Sequence, residues 1–276
     1  MKRIFIVGTA RSGTTLLQSI VANHPAIFSL PETHFFPYSI PKNKALRLFH
    51  KVKPAQIKRI NQLLAEIGYD QNFKPTEKDL KNLNRWTDYL LRFLDHEAVS
   101  KNCEAWLEKT PMHLHYIDLI KKNCHDCLFI HTIREPKANI AALYDVSKKH
   151  PEAFKQASLE KSIKRYKAEL KLSEKYYKLP HHLHVYYEEL VQNPEQVSKT
   201  VLDFLKLPKH DLVNSFQENA QQLISKDESW KANNSGDLEL QDKLKKRLSS
   251  TELEDLEAAL KSFKSPLLLP YEDFTA

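Results

Sequence analysis

The residues best suited to chemistry lie near the start of the chain, in the run GTARSGTT at positions 8–15. Gly8 and Gly13 are separated by four residues and are followed by Thr14 and Thr15, which is the spacing of a phosphate-binding loop. In such a loop the backbone amides and the start of the next helix both favour an anion. Arg11 adds a positive charge inside the loop. The pattern therefore predicts a site for a phosphorylated ligand.

The same run lacks a residue on which nucleotide-hydrolysing enzymes and kinases depend. Thr14 stands where those proteins carry a lysine. A kinase also needs an acidic residue after a second strand to hold magnesium. The best second strand, residues 128–133, is followed by Arg134. A P-loop kinase-like phosphotransferase acting on a small hydroxylated substrate is therefore the alternative enzyme, not the first choice.

A phosphate-binding loop needs a strand before it and a helix after it. Residues 4–7 are apolar and predict a buried strand, and residues 14–23 predict a helix that ends at Pro25. Further strands are expected at 105–108, 128–133 and 183–187. We expect an α/β, P-loop-type, three-layer fold with a central, mainly parallel sheet.

Helical periodicity predicts the remaining elements. Apolar residues recur at helical spacing between positions 46 and 67 and again from 76 to 94, which predicts a helical lid insertion at about 40–100. The whole chain, 1–276, is expected to form a single domain. The other helices are predicted to begin near 112 and to span 134–148, 151–178, 194–205 and 238–263.

Charge is concentrated in one part of that insertion. The chain carries a net charge of +7, and residues 42–59 hold seven Lys or Arg and no acid. Such a run is most often a solvated helix face, but it also fits a landing surface for an acidic acceptor. No nucleic-acid recognition motif accompanies it, so no nucleic-acid partner is predicted.

The composition indicates where the protein is located and whether it binds a metal. The apolar run at the start is too short for a signal peptide, and no later stretch approaches the length of a membrane span, so a soluble cytoplasmic protein is expected. Cys124 and Cys127 form the single CxxC pair. A zinc site needs about four ligands, so neither a metal site nor a redox role is predicted. The pair is expected on the turn before the strand at 128.

Five stretches together resemble a known family. They are TARSGTTLLQSIVANHP at 9–25, PET at 31–33, EKTP at 108–111, IREP at 133–136 and YYEEL at 186–190. In this order they resemble sulfotransferases that use 3′-phosphoadenosine 5′-phosphosulfate (PAPS), over about two-thirds of the chain. The closest resemblance is to the branch of tyrosylprotein, carbohydrate and bacterial sulfotransferases.

The resemblance implies two catalytic residues outside the loop. Glu32, in the PET stretch, matches the general base of this branch, although by residue type alone it also fits an exposed turn acid or a neighbour of a helix cap. Lys109, in EKTP, matches the catalytic lysine. A lysine at the carboxyl end of a strand also fits a ligand crevice, or simply the surface. Pro111 stands where some cytosolic members carry a histidine base, which favours Glu32.

The resemblance also implies contacts to the nucleotide part of the donor. Arg134 matches an arginine that holds the 3′-phosphate, but its usual serine partner is replaced by Ala142. Tyr187 matches a tyrosine near the adenine, although an ordinary packing role is as plausible from residue type. Trp230 and Lys231 lie in a polar stretch that resembles a loop closing over the donor.

The implied reaction moves a sulfuryl group from PAPS to a hydroxylated acceptor. Arg11 and Lys109 would neutralise the charge that develops, and Glu32 would take the proton of the acceptor hydroxyl. No metal is implied. The residues expected to hold the 5′-phosphate are Ser12, Gly13, Thr14 and Thr15. A non-catalytic sulfotransferase-fold binding protein is the third possibility, favoured only by Ala142, and the identity of the acceptor and the oligomeric state stay open.

Overall fold

The computed structural model describes residues 1–47, 52–66, 73–151, 158–214, 216–218, 223, 240 and 243–268. The strands are β1 Lys2–Gly8, β2 Ile27–Ser29, β3 Ala105–Lys109, β4 Leu128–Ile133 and β5 His182–Tyr186. A 3₁₀ helix spans Pro111–Tyr116. The α-helices are α1 Thr14–Val21, α2 Phe35–Ser39, α3 Lys44–Arg47, α4 Pro54–Glu66, α5 Leu83–Ser100, α6 Ile117–Asn123, α7 Pro136–Lys149, α8 Leu159–Glu174, α9 Tyr187–Gln192, α10 Pro194–Leu205, α11 Leu244–Arg247 and α12 Ser250–Leu260.

The five strands form one sheet in the order β2-β3-β1-β4-β5, and each described pair of neighbours is parallel. The strand that leads into the glycine loop, β1, therefore lies at the centre of the sheet. In a parallel sheet all carboxyl ends meet at one edge, which is where ligands bind in open α/β folds. The predicted fold class is confirmed.

Each face of the sheet is covered by helices. Phe5, Trp106 and Phe129 point to one face and pack in the same core as the buried side of α5 and α6. Ile4, Ile6, Leu107 and Ile130 belong to the core on the other face, with α1 and α10. This alternation along β1 and β3 is the period-two pattern of a strand buried on both sides.

The predicted insertion differs from expectation at its helix boundaries. The helix expected from 76 begins at Leu83, because Thr76 and Asp79 form a turn in which Asp79 accepts hydrogen bonds from the amide and hydroxyl of Thr76 at 2.7 Å each. The helix cap is Asn82, whose side chain accepts from the Arg85 amide. In the described residues the stretch expected at 46–67 contains the separate helices α3 and α4.

Within residues 243–263, the helix expected over 238–263 is divided into two helices. Leu248 is extended between α11 and α12, and Ser249 caps α12 through a capping box with Glu252. Hydrophobic periodicity continues across this break, so the apolar pattern does not reveal it. The capping-box pattern of Ser249 and Glu252 is the sequence signal that marks the start of the second helix. Tyr187, predicted as the end of a strand, instead begins α9.

The basic run at 42–59 uses part of its charge inside the molecule. Lys42 lies 3.7 Å from the buried carboxylate of Glu169, and Lys44 pairs with Asp118. Arg47 donates to backbone carbonyls, including that of His115 at 3.0 Å. These contacts fasten residues 42–47 to the body of the fold. They weaken the interpretation of the run as a surface for acidic acceptors.

Two features concern location and cysteine chemistry. Cys124 and Cys127 lie on the turn before β4, as expected, but they are joined in a disulfide that the sequence did not predict. Within the described residues, none of the helices has the length and apolar character needed to cross a bilayer.

Candidate active site

The glycine loop closes tightly over the carboxyl end of β1. A Cβ atom on Gly8 would lie 2.6 Å from the Thr132 hydroxyl oxygen, so glycine is required where the loop crosses β4. Gly13 has φ 92° and precedes α1, and Arg11 has φ 70°. A left-handed non-glycine residue is strained and persists only where the surrounding structure holds it. The loop therefore has the tight, turned backbone that presents amides to an anion.

Ser12 supports the loop from the inside. Its hydroxyl donates to the Thr9 carbonyl at 2.7 Å and lies 2.6 Å from the Thr132 hydroxyl, and its amide donates to Thr9 at 3.2 Å. Both groups are thus engaged within the protein. In this structure Ser12 shapes the loop, while Thr14 and Thr15 open the helix with mostly buried side chains.

Three arginines gather beside the loop. Arg134 donates to the Arg11 carbonyl at 3.0 Å, which ties the end of β4 to the loop. Burial lowers the pKa of Arg11, and the charges of Arg134 and Arg247 lower it further. Burial and Arg134 lower the pKa of Arg247 in the same way. The three positive charges repel one another, and a bound anion would relieve this repulsion.

Two unpartnered atoms support the same conclusion. The Nε atoms of Arg11 and Arg134 are buried and make no hydrogen bond in the described structure. The Nε atom of Arg247 lies 3.7 Å from Asp145 Oδ2. A buried guanidinium N–H without an acceptor is costly, and phosphate is the ligand that the fork of donors on an arginine fits best. The arginines therefore fit a phosphorylated ligand.

Tyr187 lies against the loop and the arginines. Its ring is so close to Gly13 that a Cβ atom there would come within 2.3 Å of ring carbon Cδ2. The Arg134 guanidinium lies 4.3 Å from the centre of the same ring. Tyr187 thus joins α9 to the phosphate loop and to Arg134, which agrees with its expected place near the donor.

Glu32 and Lys109 meet on the other side of α1. The two side chains form a buried ion pair and are 4% and 1% exposed as residues. The lysine comes from the carboxyl end of β3, and the carboxylate from the segment after β2, the neighbouring strand. Lys109 Nζ also donates to the Thr15 hydroxyl at 3.3 Å. That contact brings the pair to the first turn of the phosphate-loop helix.

His34 is a neighbour of this pair that the sequence analysis did not select. Its Nε2 lies 3.4 Å from Glu32 Oε2, and its side chain is 22% exposed. The residue has φ 46°, again a left-handed conformation. Nothing in the local sequence distinguishes this histidine from an ordinary loop residue, since only the folded backbone brings it to the carboxylate.

Arg247 is a second site residue that could not be selected from the sequence. It lies in the run KLKKR, where any of several basic residues would fit an exposed helix.

The position that departs from the family pattern, Ala142, is buried at 3% exposed. Lys137 pairs with Glu257 at 2.7 Å. Trp230 and Lys231 lie outside the described residues, so their predicted role stays a prediction.

No metal centre is evident in the part of the chain that the structure describes. There, no three side chains of His, Cys, Asp or Glu are grouped so that they could hold a metal ion. Among the described residues, Arg11, Arg134 and Arg247 bring positive charge together beside the loop, and Lys109 contacts the start of its helix.

Comparison with known proteins identifies the family. Residues 3–211 match the model of the sulfotransferase family. The chain belongs to that family. A comparison with curated proteins gives no match.

Solved structures agree in fold. The sulfotransferase domain of the olefin synthase of Synechococcus PCC 7002 is 19% identical with a TM-score of 0.53, over 100% of this chain and 95% of that one. A sulfotransferase domain of the curacin biosynthetic pathway is 18% identical with a TM-score of 0.57, over 96% and 99%. Mouse sulfotransferase SULT7A1, complexed with PAP, is 11% identical with a TM-score of 0.55, over 95% and 84%.

Proposed function

We propose that this chain transfers a sulfuryl group from PAPS to the hydroxyl group of an acceptor. The chain belongs to the sulfotransferase family, and solved sulfotransferase domains share its fold. The donor, the reacting residues and the direction of proton transfer are the proposal. The observation that carries it is the buried Glu32–Lys109 pair, bonded through Lys109 to Thr15 at the start of the phosphate-loop helix.

The site has donors for two phosphate groups. The loop amides from Gly13 to Thr15 and the start of α1 suit the 5′-phosphate. Arg134 and Arg247 suit the 3′-phosphate, with Arg247 in place of the hydroxyl that Ala142 cannot supply. The buried, unpartnered Nε atoms of Arg11 and Arg134 support this fit. The SULT7A1 structure was solved with PAP, the product that would remain after transfer.

PAPS supplies an activated sulfuryl group with a phosphate as its leaving group. Negative charge then increases on the leaving oxygen and on the sulfuryl oxygens. Arg11 lies within the loop and Lys109 contacts the first turn of α1, so both cations are placed to stabilise this charge with little reorganisation. A fixed guanidinium and ammonium in a site with little water act more strongly than the same groups in solution.

Glu32 accepts the proton of the acceptor hydroxyl. Its carboxylate faces the ammonium of Lys109, which favours the ionised form that a base requires. The proton moves to Glu32 while the acceptor oxygen forms its bond to sulfur and the bond from sulfur to the 5′-phosphate oxygen breaks. Lys109 thus contacts both the base and the helix that holds the phosphate.

A transfer assay with PAPS labelled at sulfur tests the function. The protein is incubated with the label and with hydroxylated acceptors of several classes: sugars, a tyrosine peptide, phenols and lipid alcohols. We expect label to move to at least one acceptor class, with PAP released in equal amount. The Lys109→Ala protein is the matched control and is expected to lose the transfer.

The same acceptors are offered with ATP labelled at the γ-phosphate and with magnesium. Transfer of phosphate instead of sulfate would replace the proposal with a kinase-like phosphotransferase. Binding of PAP without any transfer would favour a sulfotransferase-fold binding protein.

A further inference from the structure

Glu108 precedes Lys109 in the chain and lies on the other face of β3. Side chains at successive strand positions point in opposite directions. Lys109 reaches Thr15 on α1, whereas Glu108 faces His113 of the 3₁₀ helix. The Glu108 side chain is fully buried, at 0% exposed. A buried carboxylate is costly unless its oxygens have partners, so its contacts are informative.

The partners of Glu108 come from the segments on either side of the proposed catalytic pair. Its Oε1 accepts from the hydroxyls of Thr33 at 2.8 Å and Thr110 at 2.6 Å. Its Oε2 lies 2.7 Å from His113 Nδ1. Burial by itself raises the pKa of Glu108, but the facing histidine and the two hydroxyls outweigh it and leave the pKa below its ordinary value.

Thr33 stands between Glu32 and His34, so the contacts of Glu108 fix the segment that carries the base. The Thr33 amide also lies 3.4 Å from Glu108 Oε1, and the amide of Phe35 donates to the Thr33 hydroxyl at 3.3 Å. His34 holds its left-handed backbone with its amide donated to Thr110 at 3.3 Å. Such a conformation persists only where surrounding contacts enforce it.

We propose that Glu108 is a positioning residue, which through Thr33 holds the Glu32 carboxylate against Lys109. Two neighbouring contacts then join the 32–34 segment to the end of β3. Glu32 with Lys109 is the reactive contact, and Thr33 with Glu108 is the one that fixes its geometry. We call the contact between Thr33 and Glu108 the tether. The tether itself depends only on the fold, whereas its consequence for turnover rests on the proposed function.

Hydrogen exchange tests the tether without any substrate. Thr33→Val removes the donated hydroxyl while keeping the side-chain shape, and is milder than removal of Glu108. Thr87→Val is the matched control, since Thr87 is equally buried and donates to the Leu83 carbonyl at 2.8 Å within α5. We expect amides in the peptide covering residues 31–35 to exchange at least about tenfold faster in Thr33→Val and unchanged in Thr87→Val. Unchanged exchange in Thr33→Val overturns the proposal.

A double-mutant cycle tests whether Thr33 acts through Glu32. Thr33→Val alone should lower kcat about ten- to a hundredfold, because small displacements of a reacting group have effects of this size, while the affinity for PAP stays unchanged. In the Glu32→Gln background the same change should lower kcat less than about twofold. Losses that multiply, or an unchanged kcat, overturn the positioning role. If the wild-type protein bound no PAP, the proposed function would fail. The hydrogen-exchange comparison would still show whether Thr33 holds the 31–35 segment.

Discussion

Glu32 is the residue on which the proposed chemistry depends most. Glu32→Gln keeps the shape of the side chain but cannot accept a proton, so turnover should fall by about 10²–10⁴-fold. The affinity for PAP should stay within about threefold of wild type or become tighter, because a negative charge near an anion site is removed. Turnover is measured with labelled PAPS and affinity by calorimetry. Glu104→Gln, at an exposed position, is the control, and full turnover in Glu32→Gln would disprove the assignment.

Arg247 offers a second test at the level of single residues. A hydrogen bond to a charged group contributes about 1.5–3 kcal/mol. Arg247→Gln should therefore weaken PAP binding by about ten- to a hundredfold in calorimetry. Arg85→Gln, at an exposed position of α5, should leave the affinity unchanged. Equal affinities of the two variants would remove Arg247 from the donor site.

Single residues differ in how far the sequence could foresee them. Glu32, Lys109 and Arg134 were selected because their short motifs resemble those of the sulfotransferase family, since residue type alone left ordinary surface roles open for Glu32 and Lys109. Arg247 lies among several basic residues, and only the fold brings it to Arg134. For Ser12 the sequence suggested a phosphate ligand, whereas the structure uses its hydroxyl and amide to shape the loop.

At the scale of elements, the contact between the glycine loop and α9 sets the shape of the donor site. Gly13→Ala places a methyl group against the Tyr187 ring and adds a left-handed alanine, which costs about 1–2 kcal/mol by itself. We expect a lower melting temperature and weaker PAP binding. Part of the loss should be recovered when Tyr187→Ala is added, because the clash is then relieved. No loss in Gly13→Ala would show that the loop and ring are not in this contact.

The elements themselves were mostly predictable where apolar periodicity and a breaker residue coincide. The helix over 194–205 was predicted with its observed bounds, since Pro194 begins it. The helix over 238–263 was not, because Ser249 interrupts the backbone without interrupting the apolar pattern. Register and strand order need contacts between distant segments, which no single stretch of sequence contains.

At the scale of the whole molecule, a group of histidines should make stability depend on pH. His131, His182 and His184 lie together between the sheet and α8, with ring centres 4.5–5.2 Å apart where His131 meets the other two. Burial lowers the pKa of His182 to about 3, with Lys121 adding to the effect, and lowers that of His184 to about 4. His131 is lowered in the same direction.

The unfolded chain therefore binds more protons than the folded one between the ordinary histidine pKa of 6.5 and these lowered values. The contribution of these histidines to the free energy of unfolding should have its full value above about pH 6.5. It should fall as the pH drops toward 4, by up to about 1.4 kcal/mol per pH unit for each histidine. Chemical denaturation at several pH values measures this slope. His182→Gln should flatten it, and His125→Gln, at an exposed site, should not. A slope unaffected by His182→Gln would contradict the prediction.

The account depends most on the claim that the loop and the arginines hold a nucleotide with two separate phosphate groups. The most direct measurement is calorimetric titration of the wild-type protein with PAP, with ADP, and with ATP and magnesium. We predict that PAP binds at least about tenfold more tightly than ADP, since only PAP has a 3′-phosphate that Arg134 and Arg247 can bind. Equal binding of PAP and ADP, or tighter binding of ATP with magnesium, would contradict the account.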